Sequence, residues 1–410
     1  MAISRKRFLQ TAGLGGLGFL AGGSRSAGAV PAALSAASAA RALARTVKIT
    51  GVEIYYFDIP LKAPFRISIG TVYAANDVLV RILTDAGVTG VGEACPFPPI
   101  TGETQETNII AAKSFRDMVL GKNPLAIEER LREFGSFVHT NPGAAAAFDM
   151  AFYDILGQLA GLPIFRLLGG DEYAIETDLT CDLEAPEVMA KAAKSYVDRG
   201  FMTIKVKVGQ GPDVDTARLR AIREAVGPAP RIRIDANQGW TVPRAIDSLR
   251  RLEKFDIEFC EQPVPADDVS GLKAVRSASP IPIMADEALF LPPDAIKLIK
   301  AECCDYFNIK LIKAGGIHNS MKIAHIAQAA DIRCMVGCML ETRLALTAAA
   351  HVAAALPKTI IFADLDGMNS HTIDPIIDGM TVKAGRITLP ELPGLGADVD
   401  PAFLKTLKKI

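Results

Sequence analysis

From Glu176 to Asp364 the chain repeats one pattern, a short run rich in β-branched and apolar residues followed by a stretch with helical spacing. The runs are Glu176–Cys181, Thr203–Val208, Arg231–Asp235, Ile257–Cys260, Ile281–Ala285, Tyr306–Lys310, Arg333–Gly337 and Ile360–Asp364, eight in all. Pro186 marks a helix start between them, and Gly200 and Gly227 stand just past helix ends. Eight βα units of this length predict an α/β fold, a closed (β/α)8 TIM barrel over residues 166–372, with its chemistry at the C-terminal ends of the strands. Upstream the pattern differs. Strands over Val47–Ile59, Asp77–Thr84 and Gly87–Glu93, the last two joined at Asp85-Ala86-Gly87, precede helices over Glu106–Val119, Ala126–Phe137 and Ala144–Ala160. Strands followed by helices describe an N-terminal α+β domain over residues 45–165.

Two domains suit a chain of 410 residues, half of them hydrophobic, and exclude a disordered or fibrous reading. A net charge of −1, with no run of Lys and Arg interleaved with aromatics, gives no general attraction to nucleic acid. A small molecule is therefore the expected partner, with homo-oligomerisation left open. The seven cysteines are scattered and form no CxxC pair, which argues against a disulfide framework and against zinc. The five histidines show no HxxxH or HExxH spacing, so any metal must be held by carboxylates.

The first residues read as a targeting segment. Ser4-Arg5-Lys6-Arg7-Phe8-Leu9-Gln10 precedes a Gly-rich, mildly apolar stretch from Thr11 to Gly23, and Ala27-Gly28-Ala29 offers a small-residue cleavage site. The segment resembles a twin-arginine export signal with Lys6 in place of the second arginine, and implies a periplasmic enzyme; an ordinary secretory signal is the alternative. Its apolar stretch is too short and too rich in glycine for a stable membrane span. Pro31–Ala44 is almost all Ala and Ser, so residues 1–44 are expected to be signal and linker. Gly13-Leu14-Gly15-Gly16-Leu17-Gly18 fits GxGxxG by letter, but neither a strand before it nor a βαβ unit around it supports dinucleotide binding.

The polar residues at the ends of the barrel runs are more informative. Lys207, Asp235, Glu261, Asp286, Lys310, Cys338 and Asp364 follow one another at gaps of 28, 26, 25, 24, 28 and 26 residues, and a barrel brings all of them to one mouth. A single Asp in such a place commonly caps the next helix. Three carboxylates on consecutive strands, Asp235, Glu261 and Asp286, instead demand a shared cation, and oxygen-only ligation favours Mg²⁺, with Mn²⁺ as a substitute. Lys207 and Lys310 end strands on opposite sides of that point, an arrangement suited to two bases facing one carbon. Lysines ordinarily titrate near 10.4, so a base here must be lowered by burial and by neighbouring cations. Lys205, on the same strand face, supplies one such charge.

Thr203-Ile204-Lys205-Val206-Lys207, Asp235-Ala236-Asn237-Gln238-Gly239-Trp240, Glu261-Gln262-Pro263, Ala285-Asp286-Glu287 and Asn308-Ile309-Lys310-Leu311-Ile312-Lys313-Ala314-Gly315-Gly316 resemble the muconate-lactonizing-enzyme subgroup of the enolase superfamily. The likeness runs from about Val47 to Pro393-Gly394-Leu395-Gly396. It implies a modified barrel under a capping domain completed by the C-terminal tail, residues 373–410, with Lys207 and Lys310 as the acid/base pair.

Members of one fold run different reactions, so the substrate contacts must decide. Asp364-Leu365-Asp366 places two carboxylates on one face at the end of the last strand, a good receptor for an ammonium and a poor one for a purely anionic substrate. The pair resembles that of the dipeptide epimerases, and implies Mg-dependent inversion at the α-carbon of the C-terminal residue through an enolate. Thr180, Lys205, Cys338 and Leu340 then fall at pocket-lining positions. In Pro64-Phe65-Arg66-Ile67-Ser68-Ile69-Gly70-Thr71, the place where alanyl-glutamate epimerases can carry a glutamate-binding arginine falls on Gly70; Arg66 is a substitute from the same loop, and a wider or hydrophobic dipeptide preference is the equal alternative. The competing readings are a muconate cycloisomerase or o-succinylbenzoate synthase, and an exported peptide-binding protein without catalysis.

Overall fold

The computed structural model describes residues 47–138, 141–171 and 175–410; the segment read as an export signal lies outside them. Strands β1 (Ile49–Ile67), β2 (Gly70–Thr84) and β3 (Thr89–Ala94) form an antiparallel sheet in that order. The first hairpin is longer than its sequence suggests. Pro60 and Pro64 speak against a continuous strand, yet β1 runs through them by a register shift between Pro60 and Phe65, and the chain turns only at Ser68-Ile69. The stretch read as a loop is thus the tip of a hairpin.

Three helices, Gln105–Val119, Ile127–Phe137 and Pro142–Ala160, cover this sheet. The last is buried nearly all round. It lies directly on β3, because Gly90 and Gly92 carry no side chain: a Cβ there would fall 2.1 Å from Ala151 O and 2.0 Å from Ala147 O. Phe115 stacks on Phe134 at 3.9 Å between ring centroids, with Phe148 edge-on to both, and these rings fill the space between the helices.

The barrel strands are β5 (Leu179–Cys181), β6 (Thr203–Lys207), β7 (Arg231–Asp235), β8 (Ile257–Glu261), β9 (Ile283–Ala285), β10 (Tyr306–Lys310), β11 (Arg333–Gly337) and β12 (Ile360–Asp364). They pair in parallel, each with its chain neighbour, in one eight-stranded sheet. The ring closes at a seam, where Thr177 bridges to Ala363. The first run is therefore not one uniform strand. Its start, β4 (Ile175–Glu176), pairs with a C-terminal strand, Arg386–Thr388, before the chain joins the barrel. Below the mouth Phe259, Met284, Met335 and Phe362 plug the interior around the buried Arg233, whose guanidinium lies over Phe362 and Phe259 at 4.8 and 5.3 Å.

The C-terminal tail returns to the first domain: Ile410 N–H donates to Ile54 O at 2.9 Å, and Phe403 packs edge-on against Phe57. Asp154 of the central helix accepts from the backbone N–H groups of both Val91 and Leu395, tying β3 and tail to one carboxylate. All seven cysteines are buried and unpaired, as small apolar residues would be. Among the described residues no helix is long and apolar enough to cross a membrane.

Candidate active site

Parallel register sets the polar residues in one layer. Lys207 lies opposite Asp235 and Asp235 opposite Glu261; further round, Lys310 lies opposite Gly337 and Gly337 opposite Asp364. Asp286 follows β9 by one residue. Strands β6 and β10 are four steps apart in either direction around eight strands, so Lys207 and Lys310 face each other across the mouth.

The three carboxylates are fully buried and met by ammonium groups. Lys205 Nζ lies 3.1 Å from Asp235 Oδ2 and 2.9 Å from Glu261 Oε2, so these two acids converge on one point. Lys207 Nζ donates to Asp235 at 2.7 Å, and Lys310 Nζ lies 2.9 Å from Asp286 Oδ2. Burial opposes ionisation of Asp235, but Lys205 and Lys207 outweigh it and hold the carboxyl at about 2. Asp286 is likewise held low, against burial, by Lys310 and Lys313. Glu261 goes the other way, pushed up to about 8 by burial and by the charges of Asp235 and Asp286. Glu261 is thus disfavoured as an anion although lysines surround the three acids, and a cation placed directly on its carboxylate would favour the charged form. Glu261 Oε2 and Asp286 Oδ2 are buried, each beside a lysine ammonium at 2.9 Å but without an aligned hydrogen bond, and hard oxygens of this kind fit a divalent cation.

Without the ion, burial lowers the affinity of Lys310 for the proton, but Asp286 more than compensates and raises its pKa; a cation held by Asp286 would weaken that hold, as a free amine requires. Lys205 differs from a simple substrate contact: it is fully buried, with Asp364 Oδ2 as a third acid at 2.7 Å.

One cavity of about 470 Å³ is lined by Lys207, Lys310 and Lys205 together with Asp364, Asp366, Thr180, Cys338 and Leu340. Asp366 Oδ2 accepts from Thr180 N at 2.8 Å, and Cys338 Sγ lies 4.0 Å from its other oxygen. Arg66 stands apart. Its guanidinium pairs with Glu184 and does not line the cavity, so the arginine expected to replace the one missing at Gly70 is directed elsewhere.

Several supports were not assigned from sequence. Lys313, one helical turn beyond Lys310, grips Asp286; Asn308 Nδ2 donates to Glu261 at 2.7 Å, and Gln262 Oε1 accepts from Asp286 N at 3.0 Å. All three lie inside motifs already noticed, so adjacency was a signal, but nothing in the letters says which way they point. Asp178 is a second omission. Its carboxylate pairs with Arg233 at 2.8 Å and lies within 4.8 Å of those of Asp364 and Asp366, a cluster separate from the three acids on β7, β8 and β9. Its place two residues before Thr180, on the same strand face, was the available clue.

The capping domain is docked over the mouth by its hairpin tip. Ser68 Oγ meets the carbonyls of Ala236 and Asn237 at 2.8 and 2.7 Å. Gly239 makes room: a Cβ there would lie 2.7 Å from Gly209 O and 2.8 Å from Ser68 Cβ. Asn237, Gln238 and Gln262, just after two of the acids, hold positive φ of 39°, 68° and 34°. Such strain gathers where a backbone is bent to serve a site.

A lysine-flanked ring of acids at the mouth of a capped barrel defines an enzyme of the enolase type. Residues 188–403 match the family model described as enolase C-terminal domain-like, and residues 49–169 that of the mandelate racemase / muconate lactonizing enzyme N-terminal domain. The chain belongs to the mandelate racemase / muconate lactonizing enzyme family. It is 42% identical to the hydrophobic dipeptide epimerase of Enterococcus faecalis, over 85% of this chain and 99% of that one. It is 40% identical to the L-Ala-D/L-Glu epimerase of Bacillus subtilis, over 88% and 100% of the two chains. The crystal structure of the dipeptide epimerase from Cytophaga hutchinsonii complexed with Mg and D-Ala-L-Val superposes with a TM-score of 0.87, at 41% identity and over 88% and 99% of the chains.

Proposed function

We propose that this protein is a dipeptide epimerase that inverts the α-carbon of the C-terminal residue by proton transfer between two lysines. The observation that carries this reading is the placement of Lys207 and Lys310 across one cavity that also presents Asp364 and Asp366. Two opposed amines suit a carbon that must lose a proton on one face and gain one on the other. Two adjacent carboxylates suit an α-ammonium, which a muconate lacks. The dipeptide epimerases among its relatives support the same assignment.

Asp235, Glu261 and Asp286 would hold Mg²⁺, which when bound supplies positive charge against the second negative charge of a deprotonated carboxylate substrate. Asp364 and Asp366 accept hydrogen bonds from the dipeptide ammonium and fix the register of the α-carbon between the lysines. One lysine, as the free amine, takes the α-proton, and the C–H pair of electrons passes into the enolate. The other, as the ammonium, returns a proton to the opposite face and is left as the amine. Nothing is oxidised or reduced, and the atoms of the dipeptide are unchanged.

Incubation of the protein with a dipeptide library and Mg²⁺ in D₂O tests this. Deuterium at the α-carbon of the second residue is the expected result; exchange with no dipeptide, together with turnover of a muconate, points to a cycloisomerase instead.

We also infer that residues 1–44 carry the enzyme out to the periplasm. The support is the basic cluster at Arg5-Lys6-Arg7 ahead of a Gly-rich apolar stretch and Ala27-Gly28-Ala29. A reporter fused to this segment and retained in the cytoplasm would count against it.

A further inference from the structure

We infer that the residue this enzyme epimerises carries an uncharged, apolar side chain, seated against Phe65, Ile67, Phe97 and Ile100 of the capping domain. The inference rests on the dipeptide-epimerase reading and names the substrate class of the same site. In that reading the carboxylate of the second residue turns toward the three acids and its amide toward Asp364 and Asp366. Its side chain is left facing the cap.

What the cap offers there is apolar. All four residues line the cavity, Ile67 and Phe97 being only 7% and 4% exposed. The Phe65 ring centroid lies 5.7 Å from Lys207 Nζ, and Phe97 packs edge-on against Phe65 at 6.4 Å. On the other side a thioether, Met339 Sδ, lies 3.9 Å from Lys310 Nζ. Both lysines are thus flanked by apolar surface, and a charged side chain turned onto the four cap residues would lose its water and gain no partner from them.

The loop arginine that would receive an acidic side chain is engaged elsewhere. Arg66 is paired with Glu184 outside the cavity. Of the cavity's cations beyond Lys205, Lys207 and Lys310, Lys62 donates to Asn369 O at 2.9 Å, and the Arg199 guanidinium lies over the Phe201 ring at 5.3 Å. Asp182, which also lines the cavity, is itself an acid and disfavours a second carboxylate beside it.

The test is kcat/KM for L-Ala-L-Phe, L-Ala-L-Leu, L-Ala-L-Ala, L-Ala-L-Glu and L-Ala-L-Lys, read as deuterium incorporation with Mg²⁺ present, on the wild type and on Ile67→Ala and Arg66→Ala. The apolar dipeptides should exceed the charged ones by about tenfold or more. Ile67→Ala should lower the value for L-Ala-L-Phe by about tenfold and that for L-Ala-L-Ala by less than about twofold, a contrast a folding defect would not produce. A preference for L-Ala-L-Glu that disappears in Arg66→Ala overturns the inference while leaving the epimerase reading intact. Exchange with none of the dipeptides overturns that reading, and the inference with it.

Discussion

The ammonium of Lys205 lies 2.7 Å from Oδ2 of Asp364 and, at the same time, 2.9 Å from Glu261 and 3.1 Å from Asp235. One buried cation thus joins the acids assigned to the metal and the acid assigned to the substrate ammonium. Burial lowers the proton affinity of Lys205, but the acids around it prevail and its pKa lies well above the usual range. Its charge is therefore a permanent part of the site.

Replacing that charge should unfold before it slows. Lys205→Met leaves three carboxylates short of a partner, and breaking a buried network in this way costs about 3 to 5 kcal/mol. A urea titration should show the midpoint falling with the slope unchanged. A loss below about 1 kcal/mol would mean that the acids find another cation.

Lys207→Ala and Lys310→Ala should each lower epimerisation by at least about a hundredfold, the scale of a lost general acid or base. Each variant should still exchange the α-proton of one epimer with D₂O, because one face keeps its amine. Proton NMR of separate L,L and L,D dipeptides distinguishes this from simple inactivation; full epimerisation in either variant would remove the two-base scheme.

Chelation with EDTA should abolish exchange, and Mg²⁺ or Mn²⁺ should restore it. Magnesium at about a hundred times its Kd should also stabilise the fold by about 2.7 kcal/mol, seen as a rise in Tm. Asp235→Asn combined with Glu261→Gln should remove that dependence. A Tm equally responsive in the double variant would place the ion elsewhere.

Asp366 sets a pH limit. Burial pushes its carboxyl up to about 6, and the charge of Asp364 adds to the shift against the Thr180 N–H. The acid is ionised above that value and neutral below it, so attraction for a substrate ammonium is present at pH 7 and fades as pH falls through 6. The ratio kcat/KM should drop by up to about tenfold per unit below that point, with KM rising. In Asp366→Asn the ratio should be low at pH 7 and lack this limb.

Much of the site was legible because a barrel converts spacing into position: acids and lysines about one βα unit apart had to meet at a single mouth. The DxD pair was legible for a similar reason, since two residues apart on a strand means one face. The protonation state of Lys310 was not, because it depends on how closely Asp286 approaches, and no spacing encodes a distance of 2.9 Å. Nor was the course of Arg66, which follows from the presence of Glu184 on another segment. The long first hairpin escaped notice because its prolines oppose a strand locally, while pairing with Gly70–Thr84 and a register shift sustain one. At the seam the letters of Glu176–Cys181 suit a strand throughout, but Thr177 Oγ1 accepts from Leu365 N at 2.8 Å and the chain changes partners there.

The grip of Ser68 on Ala236 and Asn237 is made on carbonyl oxygens, which every residue possesses. Ile67, beside Ser68 and lining the cavity, can therefore be exchanged without that grip requiring a matching substitution in the barrel. A lineage carrying this chain is free to retune what it consumes at the lid, while the proton-moving apparatus beneath stays as inherited.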